Sequence, residues 1–442
     1  MSTQLRAGSA SVKFTPSMNM HLLGSFERRP CERIADDPYA HVLMIEDGTK
    51  EIALISVDVC MLPCNYPFPV FKAISEKTGI DENYIFVSAT HTHTSVTLDI
   101  KQAPENVDFI TGVWQDIVTA VAKAQSNKKN VRIGACSRAN KEFLHNRRFE
   151  GPDGMTVQNW ADNETLKQCI ESGVIDPEVL VYKLVDDDRK EVAFIVNYSM
   201  HNNAYQGKEL TISADFSGVI CNILKSVYGQ DTAVIYMGGA AGDTNCYDNF
   251  FKFPMGDMWQ DRHLFVGRSL AGTILGMDAF YEFPKNTEIT ASNETIKINE
   301  RPYRPIDDVV DMTFGKPERV QHIWDSLARG KKHWEETQGG RLETHDFPIG
   351  VITFGQDLAV VTVAGELFVE LGLKIKEQSP YKHTMIWQLT NGFYGYIPTK
   401  EAFDKGGYEV RKNGLYSCLV EEAGDMIVDY AIKKLRKFKE ES

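Results

Sequence analysis

Nowhere in its 442 residues does the chain gather the about 18 consecutive apolar residues that a membrane-spanning helix requires. Positive charge is also in short supply: 48 basic against 61 acidic residues leave a net charge of −13. That balance disfavours nucleic acid and anionic membranes as partners. Cysteine occurs eight times but is scattered, and only Cys60 and Cys64 lie near each other. No second close pair completes a four-thiolate zinc site, so buried or reduced thiols are expected. The nucleotide-binding patterns G-x-G-x-x-G and G-x-x-x-x-G-K-[ST] are both missing. Internal repeats, low-complexity stretches and Pro/Gly/Ser linkers are missing too. The opening residues Met1 to Arg6 carry no apolar secretory stretch, so a soluble cytoplasmic protein is the expectation.

What remains is an ordinary globular composition, 43% apolar and 25% charged. The chain is long for one core, since single cores stop growing near about 250–300 residues. Short β-branched runs alternate with helical stripes: strand-like segments fall at 51–58, 84–89, 131–136, 179–184, 192–198, 233–237 and 358–363. Their continuous Val/Ile/Leu content suits strands covered on both faces. Phe216, Val219, Ile220, Ile223, Leu224 and Val227 form a helical stripe, as do Trp114, Ile117, Val121 and Ala124. A helix over 70–77 ends at Gly79, and the last helix spans about 419–437. The polar stretch 286–347, with a charged helix near 318–337, reads as an insertion or lobe over the site. The expected fold is a single large α/β domain, a mixed or parallel sheet flanked by helices, with ligands at strand carboxyl ends.

Several residues stand where such a fold places chemistry. His91 and His93 follow the strand at 84–89, and side chains two apart in extended chain face one side. His201 follows the strand at 192–198, and Glu366 follows that at 358–363. Each alone is equally well a hydrogen-bonded histidine or a helix-capping glutamate. Together they match the two-histidine-plus-carboxylate pattern of open catalytic zinc sites. Gly238 to Asn245 is a small-residue turn after the strand at 233–237, able to bring backbone N–H groups close to a ligand. Asn146-Arg147-Arg148 offers guanidinium groups to an oxyanion or carboxylate. Ser213 or Asp215 caps the stripe that follows. The Tyr- and Gly-rich stretch from Thr390 to Glu409 could line a pocket or close a core edge.

Taken in order, these segments resemble the neutral/alkaline ceramidase family, zinc amidases that cleave the amide of N-acyl-sphingosine. The family's T-H-T-H-S-G-P segment is matched by Thr90 to Val96, and its N-R pair by Asn146-Arg147. Its S-A-D-F-P-G segment is matched by Ser213 to Gly218, G-D-V-S-P-N by Gly242 to Asn245, and P-G-E by Ala364 to Glu366. The similarity runs from about Arg6 to Lys437. It implies His91, His201, Glu366 and Tyr396 as ligands of zinc, with manganese or iron also acceptable to such donors. It also implies His93 and Arg147 beside the substrate carbonyl, Asp243 and Thr244 in the catalytic segment, and Gly242, Asn245 and Tyr408 at the substrate. The family's Gly-Pro after the second histidine, the serine of its G-D-x-S-P-N segment and its C-terminal β-sandwich have no counterpart here, which points away from ceramide itself.

The expected activity is metal-assisted hydrolysis of an amide in a small, polar substrate. His93 would act as acid or base, and Arg147 with backbone N–H groups near Gly242 would steady the oxyanion. An esterase or a lyase acting on a carbohydrate-like molecule is the alternative; a silent metal- or ligand-binding protein is the other. A homo-oligomer is left open.

Overall fold

The computed structural model describes residues 4–24, 29–63, 68–205, 210–246, 261–303, 342–412 and 416–441, with isolated residues between 328 and 336. Eight strands form the larger sheet: β1 (Leu5–Lys13), β2 (Tyr39–Glu46), β3 (Glu51–Val57), β4 (Ile85–Ala89), β5 (Lys129–Ala139), β6 (Glu178–Val185), β7 (Glu191–Tyr198) and β8 (Ala233–Gly238). Their spatial order is β8-β7-β6-β5-β1-β2-β3-β4. A smaller sheet holds β9 (Ile289–Asn299), β10 (Thr344–Phe354), β11 (Leu358–Val363) and β12 (His383–Trp387) in sequence order.

The two sheets pack face to face through Leu43, Ile45, Phe86, Ile195 and Met237 on one side and Ile352, Phe354, Val360 and Trp387 on the other. Helices cover the outer faces. Helices α1 (Pro69–Thr78) and α2 (Val107–Ser126) cover the β1–β4 half, and α3 (Asp215–Tyr228) and α4 (Arg262–Leu275) the β5–β8 half. The smaller sheet is covered by α5 (Val369–Gln378) and α6 (Ala423–Glu441). Layers therefore run helix, sheet, sheet, helix, which is why β3, β6 and β11 are buried on both faces.

Local chemistry fixes the helix ends. Pro69 sits in the first turn of α1, where its missing N–H costs nothing, and Gly79 closes the helix at φ 78° with its N–H on the Ser75 carbonyl at 2.8 Å. Along α3 the buried Phe216, Ile220 and Leu224 continue the stripe visible in the sequence, each worth about 1.5–3 kcal/mol on burial. Ser213 Oγ accepts the first helical N–H, that of Asp215, at 3.0 Å.

Most neighbours in the larger sheet are antiparallel, but β3–β4 and β7–β8 run parallel, as does β11–β12 in the smaller one. Each of these pairs is a strand–helix–strand unit, through α1, α3 and α5, and the ends of all three meet at one place. The flanks of the stretch 286–347 belong to the paired strands β9 and β10. The outer face of β9 is polar, and Pro348 and Gly350 break the buried apolar run of β10. The charged helix expected at 318–337 lies almost wholly outside the described residues.

Candidate metal centre

His91, His201 and Glu366 lie two or three residues beyond the carboxyl ends of β4, β7 and β11. His91 Nδ1 is 2.6 Å from the Cys60 carbonyl, and His201 Nδ1 is 2.6 Å from the Ala241 carbonyl. Each contact makes Nδ1 the N–H donor and leaves the Nε2 lone pair aimed inward. Both Nε2 atoms point at Glu366 Oε2, at 3.2 Å and 3.0 Å. The three side chains are 3% exposed or less. Among the described residues nothing else donates a hydrogen bond to that carboxylate oxygen. Two lone pairs against a buried carboxylate repel one another unless a proton or a cation lies among them.

Protonation follows the same logic. Burial drives the His91 pKa down, but Glu366 and Cys60 outweigh it and hold the ring well above its usual value. Burial, Arg147 and the charge on His91 push His201 down to about 4. Burial raises Glu366, yet the two histidines carry it well below the carboxylate range. These shifts set positive charge on His91 against negative charge on Glu366. The donor set suits zinc: ligand atoms about 2.0–2.2 Å from one ion stand about 3.3–3.6 Å apart around a tetrahedron.

His93 reaches the cluster differently from the expectation. His91 takes a left-handed backbone conformation, φ 65°, so the pair is not extended chain. The turn brings the two Nε2 atoms to 3.2 Å, and His93 Nδ1 meets the Gly24 carbonyl at 2.6 Å. Gly24 is required there: with φ 89°, a Cβ on it would lie 2.4 Å from the His93 Cα. Burial first, then positive charge on His91 and His201, depress the His93 pKa well below normal. His93 stays outside the His91–His201–Glu366 set, whose ligand atoms all lie within 4.8 Å of one another.

Arg147 closes the other side. Its Nη1 is 3.2 Å from His201 Nε2, Nη2 donates to the Gly242 carbonyl at 2.5 Å, and Nε to Glu409 Oε1 at 3.0 Å. Glu409 is in turn held by Arg148 at 2.6 Å and Gln158 at 3.0 Å. The Arg147 guanidinium lies over the rings of Tyr408, Tyr396 and Trp160 at 5.1, 5.3 and 5.9 Å. Tyr396 is the cross-strand neighbour of Glu366 in a short parallel pair. Its hydroxyl is 3.3 Å from that of Tyr408. Burial raises both phenols well above their usual range, which favours their protonated form.

The small-residue turn has another job than expected. Asp243 accepts from Asn146 Nδ2 at 2.8 Å and from the Val369 N–H, the first of α5, at 2.8 Å. Thr244 Oγ1 donates to the Ser199 carbonyl at 2.8 Å. Asn245 exchanges amide hydrogen bonds with Asn159 at 2.9 and 3.1 Å. The Gly242 N–H donates to the Leu367 carbonyl at 2.8 Å. Trp160, Asn159 and Gly24 went unnoticed in the sequence because each lies in a loop without periodicity.

No family model matches the chain. Across its whole length it shares the fold of the neutral ceramidase from Pseudomonas aeruginosa, with a TM-score of 0.72, 16% identity and 75% of that chain covered. A second structure, a ceramidase complexed with C2, overlays with a TM-score of 0.72 and 15% identity over 99% of this chain and 76% of that one. In sequence, the chain is 23% identical over 283 residues to an aminomethyltransferase of Lysinibacillus sphaericus (strain C3-41), covering 60% of this chain and 68% of that protein.

Proposed function

We propose that this chain is a metal-dependent, ceramidase-like hydrolase that cleaves the amide of a small, polar N-acyl substrate. The fold and sequence comparisons suggest different chemistries, and one observation favours the first. Two buried imidazoles, anchored through Nδ1, aim Nε2 at one carboxylate oxygen at the strand ends. His91, His201 and Glu366 would hold the ion, zinc by preference and manganese or iron as substitutes, with Tyr396 the fourth ligand that the family resemblance supplies. When bound, such an ion supplies Lewis acidity and makes water a better nucleophile near neutral pH.

The chain's own groups do the rest. His93, kept neutral by its surroundings, accepts a proton at Nε2 from the attacking water and returns it to the departing amine. Arg147 cannot lose its charge in this setting, and Nη1 faces the interior of the cluster, where it steadies the developing oxyanion. Glu409 positions Arg147, and Asp243 ties α5 to the Arg147 loop through Asn146. Thr244 is likewise a positioning residue. Tyr408, with Trp160 beside it, borders the substrate, and the Asn159–Asn245 pair adds amides to that wall.

These polar neighbours support a second reading, an esterase or lyase on a carbohydrate-like substrate. Products separate them: in ¹⁸O-water amide hydrolysis releases an amine with a labelled carboxylate, ester hydrolysis an alcohol with a labelled carboxylate, and elimination an unsaturated, ultraviolet-absorbing product. The proposal is tested by chelating the purified protein, restoring zinc, and screening N-acyl lipids, acylated amino sugars and uronate-containing glycans. Labelled carboxylate released only with metal supports it; turnover without metal overturns it.

A further inference from the structure

We propose that Glu300, His345 and Cys418 form a second metal site, selective for a thiolate-binding divalent ion of the zinc class, that braces the tyrosine-bearing wall of the catalytic centre. Together the three side chains offer one carboxylate oxygen, one imidazole nitrogen and one sulfur, all within 4.8 Å of one another. They come from separate segments whose backbones are fixed. Glu300, just past β9, bridges to Leu419, and the Arg301 N–H donates to the Cys418 carbonyl at 3.0 Å. His345 is paired with Ile298 across β9 and β10, and its ring lies edge-on to Tyr394 with centroids 5.5 Å apart.

His345 Nε2 stands 3.0 Å from Glu300 Oε1, the same spacing as His201 Nε2 to Glu366 Oε2 in the catalytic cluster. All three residues are half-buried, so an ion could enter from solvent and still be partly desolvated. Cys418 is in no disulfide, and its Sγ lies 3.9 Å from the Tyr394 carbonyl. Sulfur with imidazole selects zinc, cobalt or cadmium over magnesium or calcium. Lys412 Nζ lies 3.4 Å from the other carboxylate oxygen, Oε2. It leaves Oε1 to face the site and competes for the carboxylate, which weakens binding. The rival account is a plain Glu300–His345–Lys412 ion pair, in which Cys418 has no part.

The location gives the site a purpose. Cys418 belongs to the strand piece that also carries Tyr416 and Ser417. Ser417 bridges to Gly395, the Tyr396 N–H donates to the Tyr416 carbonyl, and the Tyr416 ring packs on Tyr408 at 5.6 Å. An ion joining Cys418 to the ends of β9 and β10 would clamp the piece on which Tyr396 and Tyr408 rest.

Cobalt provides the test, because a thiolate ligand adds a near-ultraviolet sulfur-to-metal charge-transfer band that a His–His–Glu centre lacks. The full chain is stripped with chelator and titrated with Co²⁺. The band is expected in the wild type, together with one equivalent beyond that lost in Glu366→Gln. Cys418→Ser should abolish the band and that equivalent while the far-ultraviolet circular dichroism stays unchanged. His345→Gln should weaken band-forming affinity at least about tenfold. Glu366→Gln and Cys60→Ser should both keep the band, so failure of the catalytic centre and failure of this site are separately visible. A wild type without the band, or a band that survives Cys418→Ser, overturns the proposal. If Cys418→Ser does not fold, His345→Gln decides: weaker binding supports the site, and unchanged binding refutes it.

Discussion

At the scale of single residues, the account divides the His-x-His pair. In the proposed mechanism His91 would be a ligand and His93 a proton carrier: His93 Nε2 lies 3.2 Å from His91 Nε2 but outside the His91–His201–Glu366 set, grouping instead with His91 and Cys60. His93→Ala should therefore keep its metal while kcat falls about 10²–10⁴-fold, measured by elemental analysis beside steady-state kinetics. Arg147→Lys keeps a charge but loses the planar fork that spans Glu409, Gly242 and His201, so kcat should fall about 10²–10³-fold. An unchanged kcat in either variant removes that residue from the mechanism. Asp58 supplies a test of stability instead. Burial raises it from 3.8 to about 7, although the Tyr39 N–H and the Thr90 hydroxyl both donate to it. Between those values the folded chain holds a proton that the unfolded chain lacks, so stability declines as pH rises. The penalty is absent below the lower value and complete above the higher. Asp58→Asn should lose less unfolding free energy than the wild type between about pH 4 and about pH 7 in urea melts. Parallel losses would show that Asp58 does not titrate in this way.

At the scale of elements, the centre exists because three strand–helix–strand units end together. Gly242 shows how tightly: a Cβ there would lie 2.4 Å from the Glu366 carbonyl oxygen and 3.0 Å from the Leu367 backbone. Neither neighbour is a flexible side-chain end, so Gly242→Ala should cost about 1–3 kcal/mol and displace Glu366. A lower Tm together with weaker zinc binding by isothermal titration would confirm it; wild-type values would show that the turn can give way. Much of this was legible beforehand. Strands β3, β4, β7, β8 and β11 are short, continuous apolar runs, and α3 has an unbroken stripe, so burial wrote them into the composition. The long strands β9 and β10 were not: Asn, Glu and Lys on the exposed positions of β9 hide its alternation, and Pro348 and Gly350 interrupt the buried apolar run of β10. Chain order placed His91, His201 and Glu366 at strand ends, but only folding could reveal the left-handed turn at His91 or the engaged oxygens of Asp243. Tyr396 was beyond physical reading of the sequence, because its partner Glu366 is reached through a two-residue parallel pair that leaves no periodic trace.

At the scale of the whole molecule, two sheets share one interior, and the candidate ligands straddle it: His91 and His201 follow strands of the larger sheet, Glu366 a strand of the smaller. A bound ion is therefore a cross-link between layers. A ligand that binds only the folded state adds about 4 kcal/mol at a thousandfold excess over Kd. Chelation should lower the Tm of the wild type by more than that of Glu366→Gln, which lacks this cross-link, as read by calorimetry. Trp387, fully buried between the sheets, should cost about 3–5 kcal/mol when cut to Ala, within a single cooperative transition. Two separated transitions would contradict the shared core. The most direct test joins both ends of the argument: chelated protein is titrated with zinc while release of carboxylate from an N-acyl substrate is followed. The account predicts no turnover without metal, restoration as the equivalent that Glu366→Gln fails to bind is filled, and none in that variant. Turnover by the metal-free protein, or zinc uptake by Glu366→Gln equal to that of the wild type, would contradict it.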